Sequence, residues 1–237
     1  MGDDLKKPLA PTSARKSAID AFLEKAQSVV ESGGASARLI FALDATMSRE
    51  PSWDVAQSIQ GEMFRATAAQ GGLDVQLVYF RGLRECRASS FVSNGAGLGA
   101  LMSRISCMAG HTQIDRVLQH ALNETRVRRV GALVYIGDAM EENIDRLAMS
   151  AGEMGLLGLK AFMFQEGEDR RTMSAFKEIA RLTGGAYAAF DLSAPRRLAE
   201  LLGAAAAYAA GGLPELERRA ERGEDAARLL LSQMGSR

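Results

Sequence analysis

The sequence predicts an α/β fold: a doubly wound, mostly parallel six-stranded sheet with one antiparallel edge strand and helices on both faces. Three observations predict it. Short apolar runs such as Leu39-Ile40-Phe41-Ala42-Leu43 read as strands buried on both faces. Between them lie longer stretches whose apolar residues recur every three or four positions, as in helices that pack on a sheet. This alternation is what a parallel sheet with helical crossovers requires. One connection breaks the pattern. Only Arg81-Gly82-Leu83-Arg84 separates two strand-like runs, and so short a turn permits only antiparallel pairing.

In chain order, residues 1–14 hold two prolines and no periodicity, and read as a flexible tail. Residues 15–34 carry Ile19, Phe22, Leu23, Ala26, Val29 and Val30 at helical spacing, closed by Gly33-Gly34. The main domain spans 35–212. It opens with the strand around Leu39–Leu43, then a helix marked by Val55, Ile59 and Met63. Strands at Val75–Phe80 and Glu85–Phe91 follow. Gly95-Ala96-Gly97-Leu98-Gly99 reads as a flexible loop, since its spacing is not that of a dinucleotide-binding turn. Helices then fall near Leu98–Ile105 and Ile114–Leu122, and a strand at Ala132–Ile136. Next come a helix at Ile144–Ala151, a strand at Ala161–Phe164, a helix at Met173–Ala180 and a strand at Ala186–Phe190. A helix from Pro195 to Tyr208 completes the domain. Gly211, Gly212 and Pro214 punctuate the chain, and residues 213–237 form an amphipathic helix with Leu230 and Leu231 as an alternative contact surface.

Composition narrows the function classes. The formal net charge is zero, and the arginine clusters are short and scattered, which disfavours a nucleic-acid partner. The N-terminus lacks a basic segment followed by an apolar one, so no signal peptide is expected. No apolar run reaches the length of a membrane span. Cys86 and Cys107 stand apart, without a CxxC, and fit reduced, half-buried thiols in a cytoplasmic protein rather than a zinc site.

In an open α/β sheet, ligands bind beyond the carboxyl ends of the strands. After the first strand comes Asp44-Ala45-Thr46-Met47-Ser48. In an extended loop, alternate residues point the same way, so one carboxylate and two hydroxyls share a target. Gly110-His111-Thr112 precedes a helix, and Gly137-Asp138-Ala139 follows the fourth strand. If the first and fourth strands are neighbours, the three segments meet. Together they supply only hard oxygens, suited to Mg²⁺, Mn²⁺ or Ca²⁺. Singly, each has a plainer reading: Ser48 or Thr112 as a helix cap, Asp44 or Asp138 as a charge at a helix N-terminus. Glu50, Glu141 and Glu142 are expected near this place as glutamates of helix first turns, and Trp53 is expected in the core.

The ordered trio resembles the metal-ion-dependent adhesion site (MIDAS) of von Willebrand factor type A (VWA) domains. The family's DxSxS motif matches Asp44, Thr46 and Ser48, its loop threonine matches Thr112, and its aspartate after the fourth strand matches Asp138. The resemblance covers about residues 36 to 210. It departs in Thr46, which keeps the hydroxyl, and in the surroundings of Asp138. It implies a Rossmann-like VWA fold of bacterial intracellular type. The implied function is a metal-dependent protein-binding module, not an enzyme. Asp44, Thr46, Ser48, Thr112 and Asp138 would hold Mg²⁺ (or Mn²⁺ or Ca²⁺), and a Glu or Asp of a protein partner, such as an ATPase or chaperone component, would complete the coordination. The alternative is a haloacid-dehalogenase-like phosphatase using Asp44, which needs a second acid where Thr46 stands and a lysine such as Lys160 or Lys177.

Overall fold

The computed structural model describes residues 36–67, 72–191 and 195–234. The expected tail (1–14) and N-terminal helix (15–34) lie outside the described residues. Six strands form one sheet: β1 (Ala37–Asp44), β2 (Leu73–Arg81), β3 (Glu85–Val92), β4 (Ala132–Gly137), β5 (Lys160–Glu166) and β6 (Ala186–Phe190). Their spatial order is β3-β2-β1-β4-β5-β6. All neighbours are parallel except β2 and β3. The short 81–84 turn therefore does what its length demands, and places β3 at the edge.

The helices among the described residues are α1 (Glu50–Ile59), α2 (Gly61–Thr67), α3 (Gly95–Met102), α4 (Ile114–Val127), α5 (Ile144–Leu156), α6 (Arg170–Thr183), α7 (Pro195–Glu221) and α8 (Asp225–Met234). Period-2 alternation in β1 divides the core in two. Leu39, Phe41 and Leu43 face a layer built by α1–α3, α7 and α8, with Trp53, Met63 and Leu201. Ile40 and Ala42 face α4–α6, with Val117, Leu147 and Phe176. Burial of each large apolar side chain contributes about 1.5–3 kcal/mol, so both layers clamp β1 at the centre of the sheet. Trp53 lies in the core as its sequence context suggested.

Three elements differ from the sequence expectation. The helix marked by Val55, Ile59 and Met63 divides at Gln60, whose Nε2 leaves the helix to donate to Gly95 O, 3.0 Å away. The glycine-rich segment 95–99 is the start of α3 and not a loop. Asn94 caps it by accepting from Gly97 N at 2.8 Å, which offsets the backbone freedom of three glycines. The helix from Pro195 runs past Tyr208 and bends at Gly212 (φ 65°), where Pro214 then sits in the first turn of the continuing segment. The stretch 213–234 is accordingly two helical pieces, the second being α8. There Leu230 is fully buried and Leu231 is half-buried, so the face expected to be free is largely spent on the core. Gln233 of α8 also reaches β6: its Oε1 accepts from Tyr187 N (3.0 Å) and its Nε2 donates to Tyr187 O (2.8 Å).

Candidate metal centre

Strand order reverses between β1 and β4, which lie side by side with Leu43 opposite Ile136. The helices after β1 pack on one face of the sheet and the helix after β4 packs on the other. The two loops therefore part, leaving a crevice beyond the strand ends. The condition under which the three oxygen-bearing segments would meet is satisfied.

A cleft of about 240 Å³ opens at this point, and Asp44, Thr46, Ser48 and Thr112 all line it, with Gly110, Ala139 and Glu141. Asp138 is not among the lining residues. It stands one residue before Ala139 at the end of β4, half-buried, with Oδ1 sealed from water and no hydrogen-bond partner among the described residues.

The β1 loop is shaped by its own side chains. Asp44 Oδ1 accepts from Thr46 N at 2.8 Å, a local turn that fixes the carboxylate. The Thr46 and Ser48 hydroxyls then lie 3.2 Å apart, although Met47–Arg49 is a single 3-10 turn and not the extended loop that the alternate spacing assumed. The loop is also tied to its neighbours: Ala45 N donates to Phe80 O (2.9 Å) and Met108 N to Ala45 O (3.0 Å).

Thr112 is carried by a loop that presses on the β2–β3 turn. A Cβ on Gly110 would fall 2.1 Å from Gly82 O, so only glycine permits this approach. His111 N donates to Gly82 O at 3.2 Å. Arg81 braces the same region by donating to Ser106 O at 2.6 Å, and its guanidinium holds the Glu85 carboxyl below the usual range. Thr112 does not cap α4, whose N-cap position is Gln113. Its hydroxyl accepts from Glu141 N (3.1 Å) while its own N–H donates to Glu141 Oε2 (3.2 Å), joining this loop to that of β4. Gly137 is equally constrained: a Cβ there would sit 2.8 Å from the Tyr135 ring.

The acidic neighbours differ from expectation. Glu141 and Glu142 precede α5, which Asn143 caps by accepting from Asp145 N and Arg146 N. Glu142 instead crosses to the N-terminus of α4, where it accepts from Ile114 N and, at 3.0 Å, from Asp115 N. It does for α4 what a local cap does elsewhere. The side chain of Glu50 lies outside the described residues. Glu141, Glu142 and Gln113 are the framework residues whose roles sequence reasoning missed. The only available signal was that α4 begins with no Ser, Thr, Asp or Asn at its N-cap.

The donor set fits a hard divalent cation. It offers carboxylate and hydroxyl oxygens, one of them an orphaned buried carboxylate oxygen. A hydroxyl oxygen has two lone pairs, so Thr112 retains one after accepting from Glu141. Among the described residues, no three His, Cys, Asp or Glu side chains cluster as metal ligands, so hydroxyls and outside ligands would have to complete the shell. A larger groove of about 680 Å³ lies elsewhere, among α2, α7 and α8. Its charges are spent on one another, in Glu62–Arg65, Arg196–Glu200 and Arg219–Glu224 pairs, leaving no convergent set. The phosphatase alternative finds no support. Lys160 opens β5 at the amino end of the sheet, opposite Ala132, and Lys177 lies over the Tyr187 ring at 5.3 Å.

The half-buried Cys86 and Cys107 form no disulfide among the described residues, and burial pushes the Cys86 thiol up. No helix among the described residues is long and apolar enough to cross a membrane.

No protein-family model matches the sequence, and no curated protein does. Solved structures do. The VWA domain of SpRpn10 superposes with a TM-score of 0.56 at 12% identity, over 69% of this chain and 95% of that one. Proximal thread matrix protein 1 from the mussel byssus, with its MIDAS motif occupied by zinc, gives 0.58 at 13% identity, over 71% of this chain. The human COPII-coat protein Sec24c gives 0.53 at 12% identity, over 73% of this chain. The chain spans under half of the mussel protein and about a third of the coat protein. At these identities the likeness concerns architecture, and the chain has the α/β fold of von Willebrand factor type A domains.

Proposed function

We propose that this protein is a metal-dependent protein-interaction module whose cleft at the β1 and β4 ends works as a MIDAS. Asp44, Thr46, Ser48, Thr112 and Asp138 would hold a Mg²⁺-class ion, some directly and some through water. All five offer oxygen, which favours Mg²⁺, Mn²⁺ or Ca²⁺ over zinc. Two carboxylates balance the charge of a divalent ion without filling its coordination shell, so an ion held there supplies an open position for an anionic oxygen from outside. The partner's ligand is accordingly a glutamate or aspartate side chain. The role of this chain's own residues is to position and to hold. Asp44 is oriented by the Thr46 N–H, and Thr112 by Glu141.

The observation that carries the proposal is the buried Asp138 Oδ1, which has no donor or cation among the described residues although it adjoins a cleft lined with hydroxyls. A sealed carboxylate oxygen without a partner is costly, and a bound cation removes that cost. The mussel protein with a metal-occupied MIDAS motif supports the same reading by analogy of fold. The half-buried thiols, not joined in a disulfide, support a cytoplasmic setting, in which an ATPase or chaperone component would be the partner.

Calorimetric titration with Mg²⁺ and Mn²⁺ tests it. One site is expected in the parent protein and none in Asp44→Ala. Unchanged binding by that variant would sink the assignment.

A further inference from the structure

In and beside the cleft stand exposed apolar side chains that metal chemistry does not require. Nine large apolar residues are exposed among the described residues, and three of them gather at this end of the sheet: Met47 (51%) in the cleft, Met108 (44%) beside its lining residue Ala109, and Leu83 (74%) in the β2–β3 turn that Gly110 and Met108 press on. Met47 lines it, between Thr46 and Ser48. Met108 is fixed by its N–H bond to Ala45 O, and its Cε lies against Gly82, 3.0 Å from where a Cβ would project. Leu83 follows Gly82 in the β2–β3 turn, which His111 N holds through Gly82 O. These positions are therefore set by backbone hydrogen bonds, so little ordering is needed when a ligand arrives. Exposed apolar surface next to a polar centre marks a place where another molecule excludes water. Methionine, unbranched and polarizable, adapts to varied apolar neighbours.

We infer that this end of the molecule binds a polypeptide segment in which an acidic residue is flanked by large apolar ones. The carboxylate enters the cleft, and the flanking side chains cover Met47, Met108 and Leu83. The inference rests on the proposed reading of the cleft and adds the sequence context of the partner's acidic residue. Chemistry selects the occupant. A small carboxylic acid, a sugar or a nucleic-acid phosphate satisfies the polar centre and leaves the apolar ring wet, whereas a peptide covers both.

The test uses the full chain, labelled with ¹³C-methyl methionine, in Mg²⁺, and three acetylated, amidated tripeptides: Leu-Glu-Leu, Ser-Glu-Ser and Leu-Gln-Leu. Nuclear magnetic resonance reads dissociation constants in the millimolar range from the methyl shifts. Leu-Glu-Leu is expected to shift the Met47 and Met108 methyls and to bind at least about fivefold more tightly than Ser-Glu-Ser. Met108→Ser and, in a separate loop, Leu83→Ser bring Leu-Glu-Leu down toward the level of Ser-Glu-Ser. Equal affinity for the two glutamate peptides in the parent protein overturns the apolar ring and leaves the cleft reading standing. Equal affinity for Leu-Gln-Leu and Leu-Glu-Leu, unchanged by EDTA, overturns the inference together with the cleft reading. So does the absence of any methyl shift with all three peptides.

Discussion

Two of the carboxylates that have an oxygen sealed from water, Glu215 and Asp138, have opposite surroundings. Glu215 on α7 is 2% exposed, with Arg218 Nη2 2.7 Å from its Oε2 and Arg219 Nε 3.3 Å from its Oε1. The first contact is close enough for an ion pair though not aligned for a hydrogen bond. Asp138, at the end of β4, has a buried Oδ1 that no donor or cation meets among the described residues. The difference comes from local geometry. A helix brings positions three and four apart onto one face, so the neighbours of Glu215 in sequence are its partners in space. A strand end has no such supply, and whatever completes Asp138 must come from another loop or from outside the chain. A buried charge that is internally paired belongs to the scaffold, while one left without a cation marks a place for a ligand.

The contrast can be broken in three ways. The largest effect is expected from Glu215→Ala, which takes from Arg219 one of its two carboxylate partners, leaves it Glu224 and Ala66 O, and should lower stability by about 2 kcal/mol. Urea unfolding reads it, and the loss should be the same in Mg²⁺ and in EDTA. A loss confined to one condition would mean that Glu215 too is linked to cation binding. Asp138→Asn should behave in the reverse manner. In EDTA it should be at least as stable as the parent protein, because a buried charge has been removed with little change in shape. With Mg²⁺ at tenfold its dissociation constant, the parent gains about 1.4 kcal/mol by mass action and the variant gains nothing. Thermal unfolding with and without Mg²⁺ decides this, and an equal response from both proteins would put Asp138 in the scaffold class. The smallest effect belongs to Glu142→Gln. Its carboxylate is shared between two backbone N–H groups of α4, so neutralising it should cost about 1 kcal/mol irrespective of metal. A loss of Mg²⁺ affinity larger than that stability change would move Glu142 from framework to ligand.

Much of the fold was legible in the sequence because its signals are local. The alternation of Leu39–Leu43 with later helical stretches reports burial on both faces, and the length of the 81–84 turn dictates an antiparallel edge. Thr46 and Ser48 do bring their hydroxyls to 3.2 Å, but through a 3-10 turn at Met47–Arg49 that the assumption of an extended loop did not foresee. What escaped was non-local. Nothing near Ile114 in sequence reveals that its helix is capped from Glu142, 28 residues away. Gln60 ends a helix through a bond to Gly95 that helical periodicity does not anticipate. The glycines at 95, 97 and 99 looked like a loop because propensity was judged without the Asn94 cap and the packing that overrule it. Leu230 read as one face of a free amphipathic helix, since periodicity records an apolar stripe and not what covers it.

The bond pair between Gln233 and Tyr187 has a consequence for the far margin of the sheet. β6 ends the sheet on the side away from β3, and a terminal strand offers outward peptide groups as a template on which another molecule can add a strand. At Tyr187 that template is already filled. One amide side chain supplies both the acceptor and the donor that a seventh strand would bring. The sheet's growth is thus stopped by a single residue borne on a helix. A chain shortened before Asp225 would lose that stop and present β6 to its neighbours, with fibrous self-association as the expected outcome.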